Sequence, residues 1–226
     1  DLMKLQRRLE LEAEFGRAAT AASAEKISPA GNQTAILATP HSFSTSAPSN
    51  NLSENFTPIV GREGEIARIK DLLLTRDARL LTLTGIGGTG KTTLAKTVAR
   101  ELLPEFPEGV FFIELSEITN PELLAATIAQ PLGVTEAGGR APLETVKEHL
   151  RERRMLLVLD NFEQVADAAA QIAELLAAAP RLKILVTSRV LLRLSAEREF
   201  VVPPLALPAP EADISVKDLS EFEAVK

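Results

Sequence analysis

Residues 81–96, LTLTGIGGTGKTTLAK, constrain this chain more than any other stretch. An apolar alternation that reads as a strand breaks into Gly85, Gly87, Gly88 and Gly90, and the chain leaves through Lys91 into a helix-forming run. Gly85 to Thr92 match G-x-x-x-x-G-K-(S/T), placed between strand and helix as that pattern requires. Glycines let the backbone curl so that successive N–H groups point inward, and a helix N-terminus adds free N–H groups and partial positive charge. Such a nest takes a phosphate chain. Gly85, Gly87, Gly88, Thr89 and Gly90 form it; Lys91 brings a full charge to the β- and γ-phosphates, and Thr92 offers a hydroxyl to Mg²⁺. With glycine at about 7% of average usage, a chance match in a chain this long is about a one-in-a-hundred event. A glycine-rich hairpin turn is the bland alternative, and the helix that follows argues against it.

Around this loop, strand and helix patterns alternate from Pro58 onward. Residues 63–74 are amphipathic, with Ile66, Ile69, Leu72 and Leu73 on one side. RLLTLT, GVFFIEL, MLLVLD, LKILVTS and EFVV read as five strands. Helices are expected at 92–103, in PELLAATIAQPL and APLETVKEHLRER, and at 163–178. Alternation of this kind predicts an α/β domain with a parallel sheet covered by helices on both faces. Ahead of it, residues 2–15 predict a short helix with Leu2, Leu5 and Leu9 on one face, the tail of an upstream region. Residues 16–57 turn to Ala, Ser, Thr, Asn and Pro with little periodicity and are expected to be a flexible linker. The chain starts at Asp1, and it is expected to be a piece of something longer.

Composition narrows the function classes. A formal charge of −6 argues against a nucleic-acid surface on this piece. With no Trp or Tyr, and nine Phe that read mostly as core, base-stacking platforms are scarce. The absence of Cys excludes disulfides and thiolate metal sites and fits a reducing cytoplasm. No apolar run approaches the roughly 20 residues that span a bilayer.

The remaining chemistry gathers at strand ends. Asp160 closes the MLLVLD run and is the natural ligand for Mg²⁺, a role compatible with capping the next helix. Many phosphate-loop ATPases carry an acid at the next position or close by to activate the attacking water; here it is Asn161, whose amide cannot accept a proton. Glu163 is the nearest remaining carboxylate, a candidate base that also suits a helix first turn. Arg189, in Thr187-Ser188-Arg189, is a candidate reader of the γ-phosphate if the ligand lies at the carboxyl ends of the strands. A GTPase would show glycine where Glu163 stands, together with an N-K-x-D base reader, and a transporter ATPase would show an LSGGQ-type signature. Neither pattern occurs.

With IVGREGEIARIKDLL, TLTGIGGTGKTTLAK, LLVLDNFEQV, KILVTSR and EFVVPPLAL in that order, the chain resembles the STAND class of P-loop NTPases. It is most similar to the NB-ARC-like group of large bacterial transcriptional regulators, whose relatives include plant disease-resistance proteins and apoptosome scaffolds. The resemblance covers residues 58–207 and implies a three-layer α/β/α sandwich whose five-stranded sheet is of the additional-strand type. The Thr187 strand would then lie between those ending at Thr84 and Asp160. It also implies a resting ADP and exchange for ATP that releases an oligomerising or effector-firing state. Where the family often has two acids this chain has Asp160-Asn161, a departure from which only weak Mg²⁺-dependent ATPase activity is expected. By position, Val60 and Arg62 would line the adenine and ribose side, Thr93 would bind the α-phosphate, Arg189 would be the first sensor, and Pro204 and Leu205 would help close the base pocket. Residues 208–226 would connect to a helical lid, with a winged helix and sensor repeats beyond it. The resulting expectation is an ATP/ADP switch module; a turning-over ATPase or kinase and a scaffold with permanently bound nucleotide are the rivals.

Overall fold

Each strand is five residues long, and together they make one all-parallel sheet. In the computed structural model, which describes residues 48–53, 59, 61–75, 78–135 and 139–204, these are β1 (Leu80–Thr84), β2 (Val110–Glu114), β3 (Leu156–Asp160), β4 (Lys183–Thr187) and β5 (Glu197–Val201). Their order is β2-β3-β4-β1-β5. The Thr187 strand therefore lies between those ending at Thr84 and Asp160, as the resemblance implies. The described residues belong to a compact unit that runs from Thr45 onward. The 2–15 helix, most of the 16–57 linker, the 208–226 connector, Val60 and Leu205 lie outside the described residues.

The apolar strand runs are explained by helices on both faces. Side chains alternate along a strand: Leu157 and Leu159 face one core with Ile184 and Val186, while Leu156 and Val158 face the other with Leu81, Leu83 and Leu185. The first core is closed by α3 (Leu124–Ala129), α4 (Pro142–Leu150) and α5 (Ala169–Ala178). The second is closed by α1 (Glu63–Leu74), whose Ile66, Ile69 and Leu73 are buried, and by α2 (Lys91–Glu101). A strand covered on both sides reads as an uninterrupted apolar run, as β3 does. The result is a three-layer α/β/α sandwich.

Three local departures have physical causes. The helix expected at 92–103 stops at Glu101 and passes into a 3₁₀ turn, Leu103–Glu105, where Pro104 has no N–H to continue the α-helix. The helix expected at 163–178 is two pieces: a 3₁₀ segment, Phe162–Ala168, broken by non-helical Val165 (φ −129°, ψ 37°), and then α5. Both Phe162 and Val165 are buried, and packing both into the core overrides the helical period. Residues 48–53, which composition assigns to the linker, lie along β2. Asn51 donates to Phe112 O and accepts from Phe112 N, both at 2.7 Å, and Val110 N donates to Ser49 O at 3.0 Å. Gly109 (φ 125°) makes room for them, since a Cβ there would meet Ser49 O at 2.6 Å. The segment covers an edge strand that would otherwise present unpaired backbone groups.

Candidate functional site

The carboxyl ends of β1, β3 and β4 converge on the loop that the sequence singles out. Gly90 (φ 84°) turns the chain into α2, and Leu94 N–H donates to Gly90 O at 2.9 Å. Lys91 is the first residue of that helix, and its Nζ reaches back to Gly85 O (2.7 Å) and Ile86 O (3.0 Å), so its charge lies over the loop. Thr89 is buried, and its hydroxyl donates to Ile86 O at 3.0 Å, bracing the turn from inside. Gly87, Gly88 and Thr93 are exposed, as groups that meet a ligand must be.

Behind the loop sits a compact polar cluster. Asp160 is 1% exposed, and its carboxylate accepts from the Thr92 hydroxyl at 2.8 and 3.0 Å. Thr187 at the end of β4 donates to the same carboxylate and accepts from Asn161 N–H at 3.0 Å. In the sequence Thr187 is only the start of a tripeptide; its tie to Asp160 is set by strand adjacency across 27 residues. Among the described residues no cluster of three or more His, Cys, Asp or Glu is arranged to hold a metal. One buried carboxylate beside one hydroxyl is instead the donor set of a Mg²⁺ ion that takes its other oxygens from phosphate and water. Thr92 and Asp160 fit that ion.

The outer part of the site is organised differently. Asn161 is in the left-handed region (φ 60°, ψ 43°), a conformation Asn tolerates better than most residues. That turn carries the chain to Glu163, whose Oε1 lies 3.2 Å from Arg189 Nε while its Oε2 is buried without a hydrogen-bond partner. The Arg189 guanidinium reaches over the loop, with Nη2 3.6 Å from where a Gly87 Cβ would stand. It borders an open cleft of about 530 Å³ that also touches Gly85–Gly87, Leu191 and Val201. Thr84 donates to Glu199 at its floor. Arg62 is buried, and its Nη2 donates to Thr89 O (3.2 Å) and Pro203 O (2.9 Å), so its cationic end faces protein carbonyls. Pro204 is exposed where the described chain leaves β5. His149 is half-buried on α4.

A family model described as an AAA domain matches residues 74–195, from the end of α1 through the Arg189 loop. The chain belongs to the AAA domain family. This AAA domain is 41% identical over 130 residues to a Mycobacterium tuberculosis protein that carries the provisional name of an HTH-type transcriptional regulator, a match covering 57% of this chain and 14% of that one. It is 33% identical over 141 residues to the regulatory protein AfsR of Streptomyces griseus, covering 58% of this chain and 14% of AfsR. A third relative, the disease resistance protein RPV1 of Vitis rotundifolia, is 31% identical over 113 residues, covering 44% of this chain and 8% of RPV1. The chain thus spans about a seventh of the length of the first two. It is a nucleotide-binding AAA domain similar to parts of much longer proteins.

Proposed function

We propose that this AAA domain is the ATP/ADP-binding regulatory switch of a longer signalling protein, with Mg²⁺-dependent hydrolysis slow enough to reset the switch rather than drive work. The observation that carries the reading is the pairing at the outer site: Asn161 follows Asp160, and the nearest other carboxylate, Glu163, is engaged by Arg189 at 3.2 Å. Lys91 and the loop N–H groups hold the phosphates, and Thr92 and Asp160 hold Mg²⁺, which neutralises phosphate charge. The Asn161 amide can orient a water but cannot take up its proton. Arg189 offers the third phosphate a cation that a diphosphate cannot reach, the basis for telling ATP from ADP. Relatives named as regulators and as a disease resistance protein support a signalling context. Nucleotide-dependent association with further copies and a cytoplasmic setting belong to the same proposal. No helix among the described residues is long and apolar enough to cross a membrane.

Single-turnover ATP hydrolysis by the full-length protein, measured beside calorimetric ATP and ADP affinities, tests it. Tight binding with turnover far below one per second is expected; several turnovers per second would defeat the switch reading. One observation favours a turning-over ATPase instead: Glu163 Oε2 has no hydrogen-bond partner and is free to accept from a water. Loss of all hydrolysis in Glu163→Gln would select that alternative.

A further inference from the structure

Arg62 is the largest fully buried side chain of the described residues, at 1% exposure. Burying a guanidinium is costly unless it is paired and hydrogen-bonded. Here the pairing is partial: Nη1 meets Glu65 Oε1 at 3.3 Å, and Nε has no partner. Arg62 occupies the N-cap of α1 but makes no side-chain cap bond, so the helix does not require it. What the side chain does is bridge. Its Nη2 donates both to Thr89 O, 27 residues away, and to Pro203 O, 141 residues away.

Thr89 O belongs to the peptide unit whose other end is the Gly90 N–H. No peptide among the described residues is cis, and a planar trans peptide sends its C=O and N–H in opposite directions. By the logic of the phosphate nest, that N–H is one of the loop's inward donors. Arg62 therefore grips the back of a phosphate-facing peptide. Pro203 is where the chain leaves the sheet, and the same exit touches the other end of the loop. Val202 N–H donates to Thr84 O at 2.8 Å, and a Cβ on Gly85 (φ 150°) would lie 2.9 Å from Val202 O.

We propose that Arg62 is a positioning residue that couples the phosphate loop to the chain exit at Pro203, so that phosphate binding is felt at the exit without any contact to the base. This rests on the nucleotide reading above and names how its signal leaves the domain. The shared nitrogen orients the Gly90 N–H for phosphate, and it passes any turn of that peptide to the Pro203 carbonyl. A lysine keeps the charge but has no rigid fork to hold two carbonyls at once.

Tripolyphosphate with Mg²⁺ is the deciding probe, because it has no base. In the wild-type protein it is expected to slow amide exchange at Val202. Arg62→Met and Arg62→Lys should both weaken tripolyphosphate and ADP by the same factor, about tenfold, the usual worth of a hydrogen bond to a charged group. Both should lose most of the exchange response at saturating tripolyphosphate. A larger loss for ADP than for tripolyphosphate would make Arg62 a nucleoside reader and overturn the inference. So would an unchanged Val202 response in either variant, or full rescue by lysine. Should Arg62→Met not fold, Arg62→Lys decides alone. Wild-type protein that binds ADP and tripolyphosphate without a response at Val202 ends this inference only; wild-type protein that binds neither ends the nucleotide reading.

Discussion

Two patches on the same rim of one sheet are built on opposite terms. Around Asp160 the groups are mutually bonded, with Asp160 and Thr187 buried: Thr92, Thr187 and the Asn161 N–H converge on one carboxylate and one hydroxyl. In the other patch, the Arg189 side chain is 68% exposed and engages one oxygen of Glu163, whose other oxygen has no partner. Buried, fully bonded polar groups resist rearrangement, because each broken bond leaves a desolvated group behind. The Arg189 end of this pair lies in water and can swing away, whereas the Glu163 side chain is only 18% exposed and needs a replacement partner when it does. Under the proposed function, the inner patch holds a phosphate chain and its metal in one geometry, and the outer patch changes partners when a third phosphate arrives.

The contrast is broken most forcefully at its shared cation. Lys91→Ala removes the full charge that lies over the loop, and ADP affinity should fall on the order of 10²-fold, as expected for charge-assisted hydrogen bonds. Calorimetry showing unchanged affinity would remove the phosphate-loop assignment itself. Asn161→Asp sharpens the comparison by placing a proton acceptor between the two patches. General-base help is worth about 10²–10⁴-fold where it is well placed. Single-turnover hydrolysis should rise by at least the lower end of that range, with affinity changing far less. The left-handed backbone at 161 makes Asp the better replacement, since Glu tolerates it less well; a gain only with Glu would mean that the backbone there rearranges.

Arg189→Ala probes the outer patch alone. It should lower ATP affinity while leaving ADP affinity nearly unchanged, and the melting temperature should fall modestly, because Glu163, only 18% exposed, loses its charge partner. Equal losses for both nucleotides would place Arg189 on the inner patch's side of the comparison. The smallest effect expected is a control far from both patches. Burial, with Arg153 adding to it, holds His149 below its ordinary value of 6.5. The unfolded chain then binds that proton more readily, so stability declines as pH falls below 6.5 until it passes the folded value, and is flat above. His149→Gln should flatten a melting-temperature profile across that window without altering nucleotide binding. A profile that keeps its slope would assign the pH dependence to another group.

Much of this architecture is written in local sequence. The glycine spacing, the lysine and the helix behind it are local requirements of one backbone turn, so they stand together in the chain. The five strands announce themselves because a sheet covered on both faces demands nearly continuous apolar runs, and the α1 boundaries follow from helical period. The place of the Thr187 strand comes from the resemblance, and the remaining order from the structure, since apolar runs do not say which neighbour they pair with.

Other features belong to the folded chain alone. That Thr187 steadies Asp160, that Asn51 pairs with Phe112 across 61 residues, and that Arg62 reaches Pro203 across 141 all depend on side chains meeting at long separation. A polar residue in an irregular stretch has the same local signature whether it faces water or caps a strand edge. Only the packed sheet, by bringing strand ends together, decides which it does. The break at Val165 has the same origin: helical period favours one continuous helix, and burying both Phe162 and Val165 against β3 and β4 outweighs it. Sequence by itself determined the repeated units and the ligand-facing turn, because hydrogen bonding and hydrophobic period act over a few residues. Tertiary structure decided the partners of each isolated polar group, because those energies are realised only when distant segments exclude water together.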